Sequence, residues 1–234
     1  MGFIPDVTRI INLLPKETRQ SLLFSATFSN EIKKLADTML KSPELVEVAK
    51  RNTVSETITH RVHPVSADAK RALLTKLLKS DEYDQVLIFT RTKQETGKLA
   101  RELAKSGIAA DAIHGDKSQS ERLKALEAFK DGSVKVLVAT DVAARGLDID
   151  ELPHVINFEL PHTPEDYIHR IGRTGRAGRP GTAVSLVSAS EVPYLVEIEK
   201  LIRIKVEQVP IAGFEARLDP ARFLRIHRSY MVNT

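Results

Sequence analysis

The sequence predicts an α/β protein: a parallel sheet with helices on both faces, preceded by part of a second unit of the same kind. Short apolar, β-branched runs such as Val86–Phe89 and Val136–Ala139 alternate with segments of helical period, as in a sheet linked by crossover helices. Gly107 and Gly132 stand where helices would stop before the next run. The regular pattern fills residues 60–207, whereas residues 1–50 supply too few elements to cover both faces of a sheet.

Taken in order, Pro5 suits the first turn of a helix that ends before Pro15, followed by a strand at Ser21–Phe24, a helix over Ser29–Lys41 and a strand at Leu45–Val48. Residues 51–59 read as a linker, because Ala49–Thr59 carries Lys50, Arg51, Asn52, Thr53 and Ser55 with little periodicity. Strands are then expected at Thr59–Val65, Val86–Phe89, Ala109–Ile113, Val134–Val138, His154–Phe158 and Thr182–Leu186. Between and after them lie helices at Asp68–Lys79, Thr92–Lys105, Ser118–Lys130, Pro164–Ile171 and Glu191–Ile202, and residues 208–234 form an irregular tail.

Apolar residues make up 42% and charged residues 28% of the 234, enough to bury a core and unlike a disordered chain. The apolar runs are too short to span a bilayer. The chain has no cysteine, which excludes disulfides, thiolate metal sites and cysteine nucleophiles. No targeting segment is visible, so a cytoplasmic location is expected. His60 and His63 lack a third ligand nearby and read as ordinary imidazoles, so no metal site is expected.

The net charge of +4 is small, but His169–Arg179 gathers Arg170, Arg173, Arg176 and Arg179 without an acid, interleaved with Gly172, Gly175 and Gly178. Glycines let backbone approach a ligand closely while arginine forks reach phosphate oxygens; a solvated basic loop is the alternative. Three further segments follow expected strands, where an open parallel sheet places its ligand crevice. They are Thr90-Arg91-Thr92-Lys93, then His114-Gly115-Asp116 leading into Ser118-Gln119-Ser120-Glu121-Arg122, and Thr140-Asp141 running on to Ile149. The first two suit either phosphate or ordinary helix caps.

The run ATDVAARGLDI at Ala139–Ile149, with YIHRIGRTGRAG at Tyr167–Gly178 and SAT at Ser25–Thr27, resembles the DEAD-box ATP-dependent RNA helicases, most closely their bacterial RhlE-type group. The resemblance extends from Met1 to about Phe214. It implies two RecA-like lobes that clamp ATP and single-stranded RNA, with the second lobe complete in residues 60–207 and residues 1–50 the remnant of the first. By the same resemblance Arg173 and Arg176 would be fingers to the γ-phosphate, Gly146 and Asp148 would approach the nucleotide, and His169 would couple phosphate state to lobe closure. Thr90, Arg91, Gly115, Gln119, Arg122, Thr140, Asp141 and Arg145 would line the RNA track, and Ser25 and Thr27 would link hydrolysis to strand separation. ATP and Mg2+ are the implied cofactors of the intact family, and RNA is the implied partner, held through its backbone. With 8 Phe, 4 Tyr and no Trp, a base-stacking platform is not expected.

Two departures qualify this reading. No Gly-x-x-x-x-Gly-Lys-Ser/Thr loop and no Asp-Glu-Ala-Asp box occurs in the 234 residues. The chain is therefore expected to begin inside the first lobe, to bind ATP and Mg2+ weakly and not to hydrolyse ATP alone. Residues 217–234 resemble a piece of a LytTR-type DNA-binding domain, too short to act as one. The alternatives are a non-catalytic RNA-binding fragment and an interaction module for helicase partners. The apolar faces of residues 1–50 are a possible protein-binding surface.

Overall fold

Every position of the run Val86–Thr90 is buried, because its strand lies inside a seven-stranded sheet. The structure is a computed structural model that describes residues 3–15, 17–25, 30–46, 57–149, 151–176 and 178–214. The chain divides into two units, Met1–Thr53 and Val54–Thr234.

The first unit contains α1 (Ile4–Leu13), with a proline in its first turn, and α2 (Asn30–Met39). The expected strand at Ser21–Phe24 is not formed, and Leu22 and Phe24 are exposed. A strand is held by its neighbours' hydrogen bonds, and no described segment pairs with this one. Leu45 and Val46 are likewise irregular and exposed, and the rest of that expected strand, residues 47–48, lies outside the described residues, as do 51–56 of the expected linker.

The second unit runs β1 (Ile58–Pro64), α3 (Lys70–Leu78), β2 (Val86–Thr90), α4 (Lys93–Lys105), β3 (Ala110–Ile113), α5 (Gln119–Lys130), β4 (Val136–Thr140), α6 (Asp141–Ala144), β5 (His154–Asn157), α7 (Pro164–Ile171), β6 (Gly181–Val187), α8 (Val192–Ile202) and β7 (Glu207–Gln208). The strands are parallel in the order β3-β4-β2-β5-β6-β1-β7. Strand β1 begins within the expected linker. The sequence pattern placed the strand that became β4 two residues early: the Val134 N–H turns back to the Ala128 carbonyl, and pairing starts at Val136. The short elements α6 and β7 were not anticipated. Residues 208–214 do not hang free as a tail, since Ile211 and Phe214 pack on the core and the Val209 N–H donates to Val62.

Alternation along each strand feeds two cores. Val86, Ile88, Val136 and Val138 face Leu73, Leu74, Leu99 and Leu103 of α3 and α4. Their neighbours Leu87, Phe89, Leu137 and Ala139 face Ala125 and Phe129 of α5. Farther along the same side, Ala183 and Val187 meet Tyr167 and Ile171 of α7 and Leu195 and Ile198 of α8. Between these layers Lys70 pairs with Glu191 and donates to the Phe158 carbonyl at 2.8 Å. Burial opposes the charge on Glu191, but Lys70 and the Ser188 donors outweigh it and hold the carboxyl below its usual range.

The arginine-rich loop after α7 is fixed where it meets the starts of the paired strands β1 and β6. Thr174 donates its hydroxyl to the Leu152 carbonyl, and the Thr57 hydroxyl donates to the Gly175 carbonyl at 2.7 Å. Gly175 has φ +66°, and a Cβ there would lie 2.3 Å from Ile58. A Cβ at Gly181 would lie 2.0 Å from the Thr174 hydroxyl and 2.5 Å from the Gly175 nitrogen. Gly181→Ala should therefore cost about 2–3 kcal/mol by overpacking against backbone. Gly107→Ala, at φ +82° but in open space, should cost only about 1 kcal/mol. Urea unfolding of the two variants checks the contrast, and an unchanged midpoint for Gly181→Ala would contradict it.

Candidate functional site

The carboxyl ends of β2, β4 and β5 lie side by side, with Phe89 opposite Ala139 and Asn157 and Thr90 opposite Thr140. Helix α4, after β2, covers one face, while α6 and α7, after β4 and β5, lie on the other. Connections that part to opposite faces leave a crevice at the strand ends.

Arg170 of α7 fills the floor of that crevice and is 1% exposed. Its Nε and Nη2 donate to the two carboxylate oxygens of Asp141 at 2.6 and 2.8 Å, and its Nη1 donates to Asn157 Oδ1 at 3.0 Å and the Glu159 carbonyl at 2.6 Å. The guanidinium also lies 5.1 Å from the Phe89 ring centroid. A charge so buried persists because each face is matched: a bidentate acid, two neutral acceptors and an aromatic ring.

Around it a small pocket is lined by Phe89, Asp141, Ala144, Arg145, Asp166, His169, Arg170 and Arg173. The structure thus brings four expected residues, Asp141, Arg145, His169 and Arg173, to one place. Arg145 is exposed and donates to Asp166 Oδ1 at 2.6 Å, while Asp166 Oδ2 also accepts a hydrogen bond from the Thr163 hydroxyl at the start of α7. Arg173 Nη1 donates to the Leu147 carbonyl at 3.2 Å, tying the arginine-rich loop to the Gly146–Asp148 segment. Gly146 has φ +74° and open space at its Cβ position. Asp148 is exposed and held below its usual pKa by the hydrogen bond from Lys130. Arg176 is exposed on the same loop.

The other expected residues spread along the strand ends. Arg91 is clamped by Glu159, its backbone N–H donating at 2.8 Å and its side chain at 3.1 and 3.2 Å. Thr140 caps α6 through the Ala143 N–H, and Arg122 Nη2 reaches the Ala143 carbonyl at 3.3 Å. Gly115 and Gln119 are exposed at the β3–α5 turn. Thr90 is different: it is fully buried, with its hydroxyl 2.6 Å from that of Thr96. Its side chain braces β2 against α4 and is not presented to a ligand. Ser25 belongs to the first unit, and Thr27 lies outside the described residues.

Asn157, Glu159, Asp166 and the structural role of Arg170 were missed from sequence. One signal was present. Tyr167, Arg170 and Ile171 share a buried helical face, and a charged residue on such a face implies an internal counter-charge.

Burial, and then the charges of Arg145 and Arg173, push the His169 imidazole below its ordinary pKa of 6.5; Asp166 and Asp141 pull the other way. The pocket therefore holds His169 neutral at pH 7. The unfolded chain takes up a proton near pH 6.5 while the folded chain resists it, so stability falls as pH drops below that value. His60 and His154, also lowered by burial, act in the same direction. Melting temperature should decline from pH 7.5 to 5.5, and less steeply in His169→Gln. A slope that His169→Gln leaves unchanged would show that the pocket does not perturb this ring.

Residues 69–178 match the profile of the helicase conserved C-terminal domain. Over 213 residues the chain is 43% identical to the ATP-dependent RNA helicase RhlB of Pseudomonas putida, covering 90% of this chain and 54% of that protein. The solved structure of E. coli DEAD-box protein SrmB bound to regulator of ribonuclease activity A is 39% identical, with a TM-score of 0.63 over 66% of this chain and 91% of that one. S. cerevisiae Dbp5 bound to RNA and ADP BeF3 is 31% identical, with a TM-score of 0.81 over 97% of this chain and 59% of that one. The chain spans about half the length of the curated relatives it matches.

Proposed function

The chain belongs to the DEAD-box proteins and carries their C-terminal helicase domain, and on that premise we propose that it supplies the arginine side of an ATP site and part of a track for single-stranded RNA. The carrying observation is the bond from Arg173 to the Leu147 carbonyl, which places the arginine-rich loop against Gly146–Asp148 beside the crevice. Arg173 and Arg176 then offset charge on the transferring γ-phosphoryl oxygens of ATP, a role worth on the order of 10³ or more in rate. Gly146 and Asp148 face the nucleotide, and neutral His169 lines the same pocket as Arg173 and Asp141.

The strand-end groups suit RNA phosphates rather than base edges. Arg91, Arg122 and Arg145, the exposed Gly115 and Gln119, and Thr140 with Asp141 offer cations, hydroxyls and backbone without a code for sequence. Ser25 and Thr27 of the first unit would relay hydrolysis to strand separation.

Mg2+ and the rest of the phosphate cradle need partners beyond these. The sequence has no P-loop, and among the described residues no three metal-capable side chains gather. The intact reaction is ATP hydrolysis coupled to opening of an RNA duplex, in a cytoplasmic setting. Affiliation with the RhlE-type group rests on the wording of the motifs. Residues 217–234, with their LytTR-type resemblance, lie outside the described residues and are assigned no activity. The exposed Ile10, Leu13, Leu22 and Phe24 support an apolar protein contact by the first unit.

RNA-stimulated ATP hydrolysis by the 234-residue chain, with Arg173→Ala alongside, tests the assignment. No turnover is expected from either folded protein, together with salt-sensitive RNA binding that Arg145→Ala and Arg122→Ala weaken. Turnover that vanishes in Arg173→Ala would mean that this chain holds ATP without a P-loop. RNA affinity unchanged in the Arg145 and Arg122 variants would remove the strand ends from the track.

A further inference from the structure

Helix α4 separates its charges by face. Glu95 and Glu102 point toward α3, where Arg71 pairs with both at 2.6 and 2.8 Å. Lys98, Arg101 and Lys105 are exposed, and none of them forms an ion pair or hydrogen bond with another described residue. They recur at helical spacing along about 10 Å of the axis. This differs from the strand-end cations, each of which has an internal acceptor: Arg91 has Glu159, Lys93 has Asp116 and Arg145 has Asp166.

The strip also connects to the strand ends. A helical side chain leans toward the helix N-terminus, and Arg101 leans over Gly97 toward the end of β3. A Cβ at Gly97 would meet Arg101 Nη1 at 3.3 Å and His114 Nε2 at 3.4 Å. Glycine thus leaves room for the guanidinium beside His114, next to Gly115 at the β3–α5 turn. At the turn itself Lys93 and Lys117 are paired with Asp116 and Asp111, whereas Arg101, Lys98 and Lys105 run from beside it along the exposed face of α4 without a bound carboxylate.

We propose that Lys98, Arg101 and Lys105, continued by His114, form a second phosphate-binding strip that takes the backbone of single-stranded RNA where it leaves the strand ends. The inference rests on the RNA reading of those strand ends. Unpaired cations on a continuous path favour a polyanion with regularly spaced charges, and binding releases the counterions that otherwise occupy them.

The test is fluorescence anisotropy of the full 234-residue chain with labelled oligouridylates of about 6 and about 20 nucleotides, a short and a long tract relative to typical single-strand site sizes. The variant Lys98→Ala/Arg101→Ala/Lys105→Ala should bind the long tract about tenfold more weakly, with the salt slope reduced by about 2, and the short tract as the wild type does. Arg145→Ala should weaken both. The triple variant's melting temperature should match the wild type, because Lys98, Arg101 and Lys105 hold no internal partner, and Arg101→Ala alone should show a smaller loss of the same kind.

Unchanged long-tract affinity in the triple variant would overturn the strip while leaving the strand-end track intact. Equal loss on both lengths would also overturn it, because the strip would then not be a separate subsite. Competition by poly-glutamate as effective as by RNA would assign the strip to acidic protein instead. A wild-type chain that binds neither tract would overturn the RNA reading itself and the strip with it.

Discussion

The buried guanidinium of Arg170 is the constraint on which the site depends. It touches the first residue after β4, the last residue of β5, the carbonyl of Glu159 and the ring of Phe89 near the end of β2. A single side chain therefore bridges three strand ends and α7. Arg145, His169 and Arg173 sit on segments that begin or end at those contacts, so their positions follow from it. Removing one partner would leave the other charged and poorly solvated, which is why such pairs resist piecemeal change.

A second regularity is the internal carboxylate opposite the strand-end arginines. Glu159 holds Arg91, Asp166 holds Arg145 and Asp141 holds Arg170. The first two arginines are accessible enough to exchange partners, and a phosphate that binds them must compete with an acid already in place. One phosphate gains little from such an exchange. A backbone that offers several at once gains at every step, so the arrangement favours a polymer over free anions. Arg170 is too buried to exchange and serves as the frame.

Much of the fold was legible because the governing pattern is local. Runs such as Val86–Phe89 bury both faces, Gly107 and Gly132 adopt φ of +82° and +83° as helix stops, and Ser118 with Glu121 closes a capping box at the start of α5. The failures lie where pairing decides. Ser21–Phe24 has strand composition but no described neighbour, and Glu207–Gln208 is a strand only because β1 offers an edge. At the site, ARGLDI and HRIGRTGR pointed to phosphate chemistry, yet nothing in either run reveals that Arg170 would be the buried one. That depends on Asn157 and Glu159, which carry no motif of their own, and on α7 turning Tyr167, Arg170 and Ile171 inward. Thr90 was misjudged for the same reason, since the Thr96 that takes its hydroxyl is visible only once α4 is packed.

The most direct test is a double-mutant cycle between Arg170 and Asp141, read as unfolding free energy in urea for the wild type, Arg170→Met, Asp141→Ala and the double variant. If the bidentate pair is the frame, each single change leaves an uncompensated partner and the double variant recovers part of the loss, with a coupling of about 2–3 kcal/mol. Additive losses would mean that the two side chains do not hold one another and that the crevice is organised by packing alone.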